Sequence, residues 1–119
     1  MKNRIECPAE RAIYFLGGKW KIRILFTLYN NKKVRFNILK KGLKTITQQM
    51  LSKQLKELEI DGIVNRKVYQ VIPPKVEYSL TGFGNSLIPI LRSFSEWNKR
   101  NLRTISFKLN KNFEENRIR

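Results

Sequence analysis

Ile46-Thr47-Gln48-Gln49-Met50-Leu51-Ser52-Lys53-Gln54-Leu55-Lys56-Glu57-Leu58-Glu59-Ile60 is bounded on its C-terminal side by Asp61-Gly62. Thr47 has the chemistry of a helix N-cap, because its hydroxyl can accept from a backbone N–H of the first turn. Ile46 before the cap and Leu51 inside it fit a hydrophobic staple. Leu51, Leu55 and Leu58 recur at i, i+4 and i+7 and so share one face of a helix from Gln48 to about Ile60. At 100° per residue, Gln49, Lys53 and Lys56 fall on the opposite face, with Ser52 at its edge. Gly62 supplies the stop. Such a helix buries leucine and presents amides, a hydroxyl and ammonium groups outward.

The segments around it give that helix a context. Upstream, Asn37 can cap a short helix in which Leu39 and Leu43 are four apart; Lys44-Thr45-Ile46 is the brief connection. Downstream, 63–70 is rich in β-branched and aromatic residues. Over 75–80, Val76, Tyr78 and Leu80 alternate with Lys75, Glu77 and Ser79. Val71-Ile72-Pro73-Pro74 between them is a stiff loop joining a hairpin, since proline cannot donate to a ladder. Two helices joined by a tight turn and followed by a hairpin make a winged helix-turn-helix, whose second helix enters the major groove of B-DNA.

Further upstream, Cys7-Pro8-Ala9-Glu10 starts a helix that Gly17-Gly18 ends, with Ala12, Ile13 and Leu16 as its apolar stripe. A second helix is expected from about Lys19 to Tyr29, and Val34-Arg35-Phe36 is a candidate short strand. After the hairpin, Thr81 is expected to cap one long helix, kinked at Pro89. Its residues Phe83, Leu87, Ile90, Phe94 and Trp97 form a heptad-like seam. Periodicity fades after about Asn101, and 110–119 is expected to be frayed or disordered. With no repeat and no linker in view, the expectation is a single domain over 1–119, mainly α with a small β-hairpin.

Charge narrows the function. The 119 residues carry 25 Lys and Arg against 9 Asp and Glu, with no His, for a net +16. Such a surface attracts polyanions. The basic residues are spread over most of the chain rather than set opposite one apolar face, so a membrane-surface helix fits poorly. No stretch approaches the ~20 apolar residues that span a bilayer, and the N-terminus has no signal-peptide core, so the expected location is the cytoplasm. Without His there is no Ser-His-Asp triad and no imidazole metal site, and one Cys makes neither a thiolate zinc site nor an internal disulfide. An enzyme is therefore not expected, nor is a cofactor or a metal.

The expected partner is double-stranded DNA. Gln suits adenine and Ser bonds either way, which places Thr47, Gln48, Gln49 and Ser52 near bases and Lys53 and Lys56 nearer phosphates. Arg66, Lys67 and Lys75 around the Pro-Pro loop are wing candidates, and Arg35 and Lys40 are further phosphate candidates. A sequence-neutral nucleic-acid packager would rely on charge alone and has no need of a wing or of outward glutamines. A protein-interaction module that has lost DNA binding would turn the same charge to an acidic partner.

These residues resemble the HxlR-type winged-helix regulators, a group related to MarR-type proteins. The matching pieces run in order over roughly residues 5–100: Cys7-Pro8-Ala9-Glu10, Leu16-Gly17-Gly18-Lys19-Trp20-Lys21, Arg35-Phe36, Ile46-Thr47-Gln48-Gln49-Met50-Leu51, Leu55-Lys56-Glu57-Leu58-Glu59, Asp61-Gly62-Ile63-Val64, Pro73-Pro74-Lys75-Val76-Glu77-Tyr78-Ser79-Leu80-Thr81 and Glu96-Trp97. The basic extension over 101–119 lies outside the resemblance. The resemblance implies a homodimeric DNA-binding transcription regulator, repressor or activator, with dimer contacts from the first and last helices. Ile13 and the seam of Phe83, Leu87, Ile90, Phe94 and Trp97 are the candidates for that interface. Where the family usually holds Pro-Gly in the turn, this chain has Lys44-Thr45.

Cys7 is a separate candidate. A thiol at a helix N-cap faces backbone donors and the positive end of the dipole, which favours the thiolate. Some HxlR-type proteins that this chain resembles use a cysteine at this position to sense quinones, aldehydes or oxidants, so a small-molecule or electrophile inducer is a further candidate partner. The alternative is a cap or packing residue with no signalling role.

Overall fold

The computed structural model describes the backbone of residues 7–118 and the side chains of residues 7–110. The backbone divides into two compact units, Met1–Ile88 and Pro89–Arg119.

In the first unit, helix α1 (Pro8–Ile13) tightens into a 3-10 turn over Tyr14–Leu16. Helix α2 (Trp20–Asn31) follows, then strand β1 (Val34–Arg35), α3 (Phe36–Leu43) and α4 (Gln48–Ile60). Strands β2 (Val64–Tyr69) and β3 (Lys75–Leu80) form the hairpin, and a short helix α5 (Gly82–Asn85) follows it. Ile24, Leu25 and Leu28 of α2, Leu39 and Leu43 of α3, and Leu51, Leu55 and Leu58 of α4 make the core, with Ile63 and Val64 at the root of the hairpin. The expected helix-turn-helix is α3 and α4. Arg35, not Asn37, takes the N-cap position of α3, so that helix begins at Phe36.

Helix α4 starts at the expected residue, after the Thr47 cap, and stops where Asp61-Gly62 was expected to end it. Thr47 Oγ1 accepts from the Met50 N–H at 3.1 Å, and Ile46 and Leu51 are both buried, as a staple requires. At the other end the Ile63 N–H donates to Leu58 O and the Gly62 N–H to Glu59 O. Gly62 sits at φ +76, the left-handed value this closure needs. The turn before α4 has its own geometry. Lys44 has φ +61, and the Thr45 N–H donates to Leu43 O across it. Proline, fixed near φ −65°, could not occupy Lys44 in that shape.

The sheet has three antiparallel strands in the order β1-β3-β2. The candidate short strand is thus a third member of the sheet, laid against β3 on the side away from β2. The register sets Val34 and Arg66 against Tyr78, Arg35 and Lys67 against Glu77, and Tyr69 against Lys75. Because side chains alternate along a strand, one face carries Val34, Val64, Arg66, Val68, Val76, Tyr78 and Leu80. The other carries Arg35, Asn65, Lys67, Tyr69, Lys75, Glu77 and Ser79.

The long kinked helix expected after the hairpin is two helices. Helix α5 ends at Asn85, and a new helix α6 runs over Ile88–Arg100. Pro89 is therefore the second residue of α6, where the missing donor has no intrahelical partner to lose. Thr81 caps α5 by accepting from the Gly84 N–H at 3.0 Å. A Cβ at Gly84 would collide with the Ile63 carbonyl, so only glycine lets the chain cross the hairpin root so closely.

In the second unit, α6 is followed by α7 (Leu102–Ile118). The frayed or disordered tail expected over 110–119 is corrected as far as Ile118: its backbone is helical. Among the described residues no helix is long and apolar enough to cross a membrane.

Candidate nucleic-acid interface

The outward face of α4 is open. Thr47, Gln48, Gln49, Ser52, Lys53 and Lys56 are all exposed, while Leu51, Leu55 and Leu58 are at most 2% exposed. Thr47, Gln48, Gln49 and Ser52 line a shallow depression at the N-terminal end of the helix. A groove beside it shares Gln48 and Ser52 and runs on to Lys56, Glu59 and Arg66, with Val76 and Tyr78 across from the helix. The fold thus brings the leading turns of α4 and one wing cation into one surface.

The wing cations do not act as a set. Arg66 lies on the sheet face that looks into the α4 groove, whereas Lys67 and Lys75 lie on the other face with Arg35. There Lys67 Nζ and Lys75 Nζ each sit 4.8 Å from the Tyr69 ring centroid. Lys75 Nζ is 3.4 Å from Glu77 Oε2. The Tyr69 hydroxyl donates to Glu77; that bond, with Lys75 and Lys33 adding to it, holds the Glu77 carboxyl below its ordinary range, and the same bond raises the phenol of Tyr69 against the opposing charges of Lys33 and Lys75. Lys40 is half-buried in the last turn of α3 and, like Arg35, does not line the groove.

Glu59, missed in the sequence reading, lines the same groove. The signal was present: Gln48, Ser52, Lys56 and Glu59 are spaced 4, 4 and 3 along one side of the helix. Lys21 was missed too. It is buried in the first turn of α2, and its Nζ lies 2.8 Å from Glu57 Oε1, fastening the flank of α4.

The candidate dimer residues separate. Ile13, Ile90, Phe94 and Trp97 are each more than half exposed. Phe83 is half exposed and meets Phe15 edge-on at 5.5 Å. Leu87 is the correction: it is buried in its own chain, because the break between α5 and α6 takes it off the line of the seam. Cys7 is exposed at the N-cap of α1, and its side chain makes no capping bond.

Comparison with known proteins agrees with this architecture. The pattern of the HxlR-like helix-turn-helix family matches residues 15–106. The HTH-type transcriptional regulator YybR of Bacillus subtilis (strain 168) is 48% identical over 99 residues, covering 83% of this chain and 78% of that protein. The solved structure of the redox regulator HypR in its reduced form superposes with a TM-score of 0.79 at 45% identity, covering 84% of this chain and 98% of that one. The reduced form of the transcriptional regulator YodB from B. subtilis gives 0.72 at 34% identity, covering 81% and 94%. With the helix-turn-helix, the wing and these matches together, the chain belongs to the HxlR-like helix-turn-helix family of transcriptional regulators, not to a family of enzymes.

Proposed function

We propose that the protein is a cytoplasmic, sequence-specific regulator that binds duplex DNA as a homodimer, with α4 in the major groove. The observation that carries this reading is the two-sidedness of α4, whose leucines are buried while Gln48, Gln49, Ser52, Lys53 and Lys56 stay open beside Arg66. Thr47, Gln48, Gln49 and Ser52 meet base edges; Lys53, Lys56 and Arg66 meet phosphates. Lys67, Lys75, Arg35 and Lys40 contribute more weakly, since the first two are already engaged with Tyr69 and Glu77. Ile13, Phe83, Ile90, Phe94 and Trp97 supply the apolar surface of the dimer contact.

Selection of bound duplexes from a random pool at physiological salt tests the reading. A two-fold dimer selects a pseudo-palindrome with half-sites about 10 bp apart or a multiple of that. Binding to it should exceed binding to unrelated duplex by at least ~10³-fold. Gln49→Ala with Lys53→Ala should remove most of that preference. If the double variant binds the selected site as the parent does, α4 is not the reading element.

A redox input through Cys7 is the finer form of the proposal. HypR is a redox regulator, and YodB has been solved in reduced and diamide-treated forms. Cys7 is the only thiol of this chain and it is exposed. An oxidant such as diamide takes one hydrogen from each of two thiols. The product is a disulfide between two subunits or between Cys7 and a small thiol. Cys7→Ser should keep its DNA affinity under diamide while the parent changes; equal responses would dismiss the thiol as the sensor.

A further inference from the structure

The end of the β2–β3 hairpin carries no charge. Gln70-Val71-Ile72-Pro73-Pro74 joins the strands, and Ile72 is 100% exposed with Val71 half exposed. On the sheet face that looks to α4, Val68 stands opposite Val76, and Val68 is itself half exposed. An apolar strip therefore leads from the α4 groove out to the tip. Cations flank it on both faces: Arg66 on the near side, Lys67 and Lys75 on the far side. An isoleucine held wholly in water forgoes the stabilisation that burial gives. Pro73 and Pro74 fix their own φ angles, which stiffens the loop behind Ile72. A loop meant only to touch phosphates would carry a cation at this point.

We propose that Ile72 is a wedge that enters the minor groove next to the major-groove site of α4 and opens a base step there. The chemistry of the tip fits that occupant. Arg66, Lys67 and Lys75 offer positive charge to the backbones on either side, while the apolar tip meets the stacked bases between them. Apolar side chains inserted in this way partly unstack a step and kink the duplex by roughly 20–90°. Pyrimidine–purine steps yield most readily. The site should therefore favour such a step under the wing, at a position where no side chain reads a base edge. The inference rests on the DNA-binding reading above and adds a second contact with its own specificity.

The test uses the full chain and a duplex obtained by the selection described above. It carries 2-aminopurine at successive positions outside the half-site and a pair of fluorophores at its ends. The parent should brighten 2-aminopurine at one step and bring the ends closer. Ile72→Ala should bind the same sequence with both signals lost and the salt dependence unchanged. Ile72→Lys should tighten binding to any duplex and leave the step stacked. Since Ile72 touches nothing in the fold, equal melting temperatures should accompany all three. A parent that binds its site without unstacking or bending, or an Ile72→Ala variant that bends DNA as the parent does, would overturn the wedge and leave the α4 reading standing. Failure of the parent to prefer any duplex would remove both.

Discussion

Helix α4 and helix α6 carry apolar residues at similar spacing, yet the chain treats them in opposite ways. Leu51, Leu55 and Leu58 of α4 are sealed at 2% exposure or less, whereas Ile90, Phe94 and Trp97 of α6 each keep more than half of their surface. The spacing fixes only that a helix has a stripe. What covers the stripe depends on the rest of the molecule. For α4 it is α2 and the hairpin strand β2, elements of the same chain. The stripe of α6 remains exposed, and its aromatic content is what the proposed dimer contact would use.

The sharpest way to break this contrast is to truncate one residue on each side of it. Leu55→Ala removes a fully enclosed side chain, and the expected cost is about 2–5 kcal/mol of folding stability. It reads as a fall in melting temperature that dilution does not alter. Phe94→Ala with Trp97→Ala should cost the isolated chain little. It should weaken self-association by at least ~2 kcal/mol, roughly 30-fold, seen by analytical ultracentrifugation across a dilution series. A double variant that dimerises as the parent does would mean that the α6 stripe is not the contact. Should it also melt many degrees lower at high dilution, the stripe would belong to the fold of the single chain, and the contrast with α4 would vanish.

The same two helices show how far the sequence could be read. Every signal at α4 is local: a hydroxyl cap, a staple, a leucine stripe and a glycine stop within seventeen residues of one another. Local signals agree only when the segment is one element, so its start and its stop were both legible. After the hairpin, the spacing from Phe83 to Trp97 ran through Ser86-Leu87 without a visible break. Periodicity does not register whether the backbone stays helical between two stripe residues, so Pro89 read as a kink rather than as the start of a second helix. The wing was half legible. Period-two alternation already put Arg66 and Lys67 on opposite faces, but which face looks toward α4 is set by how the hairpin packs beside that helix, a non-local fact. The pair Lys21–Glu57 joins residues 36 apart in sequence and left no local mark. In the helix over 102–118 the residues Leu102, Ile105, Leu109 and Phe113 are spaced 3, 4 and 4, a sparse stripe among polar residues that the reading of the sequence passed over.

That pair offers the smallest test, because it holds α4 at its flank rather than by its leucines. The hydrogen bond from Lys21 keeps the Glu57 carboxyl below its ordinary range, opposed by burial and aided by the charges of Lys21 and Lys53. A carboxyl whose folded value is lowered contributes its full stability above the unfolded value, near ~4.3. The contribution is lost as pH falls through the lowered folded value. Glu57→Gln should therefore flatten the acid side of the stability curve. Its cost at neutral pH should stay below about 1 kcal/mol, since the Glu57 side chain is 41% exposed and water screens the pair. The Lys21 side chain is only 9% exposed, so the partner's replacement tells more. Lys21→Met puts an apolar chain of similar length where a cation was desolvated, a change that is often neutral or stabilising. Equal or higher stability in Lys21→Met, with the parent's preference for its selected DNA site intact, would mean that the leucine face alone sets how α4 sits. Equal stability with that preference lost would mean that the ion pair orients a helix the leucines merely hold in place.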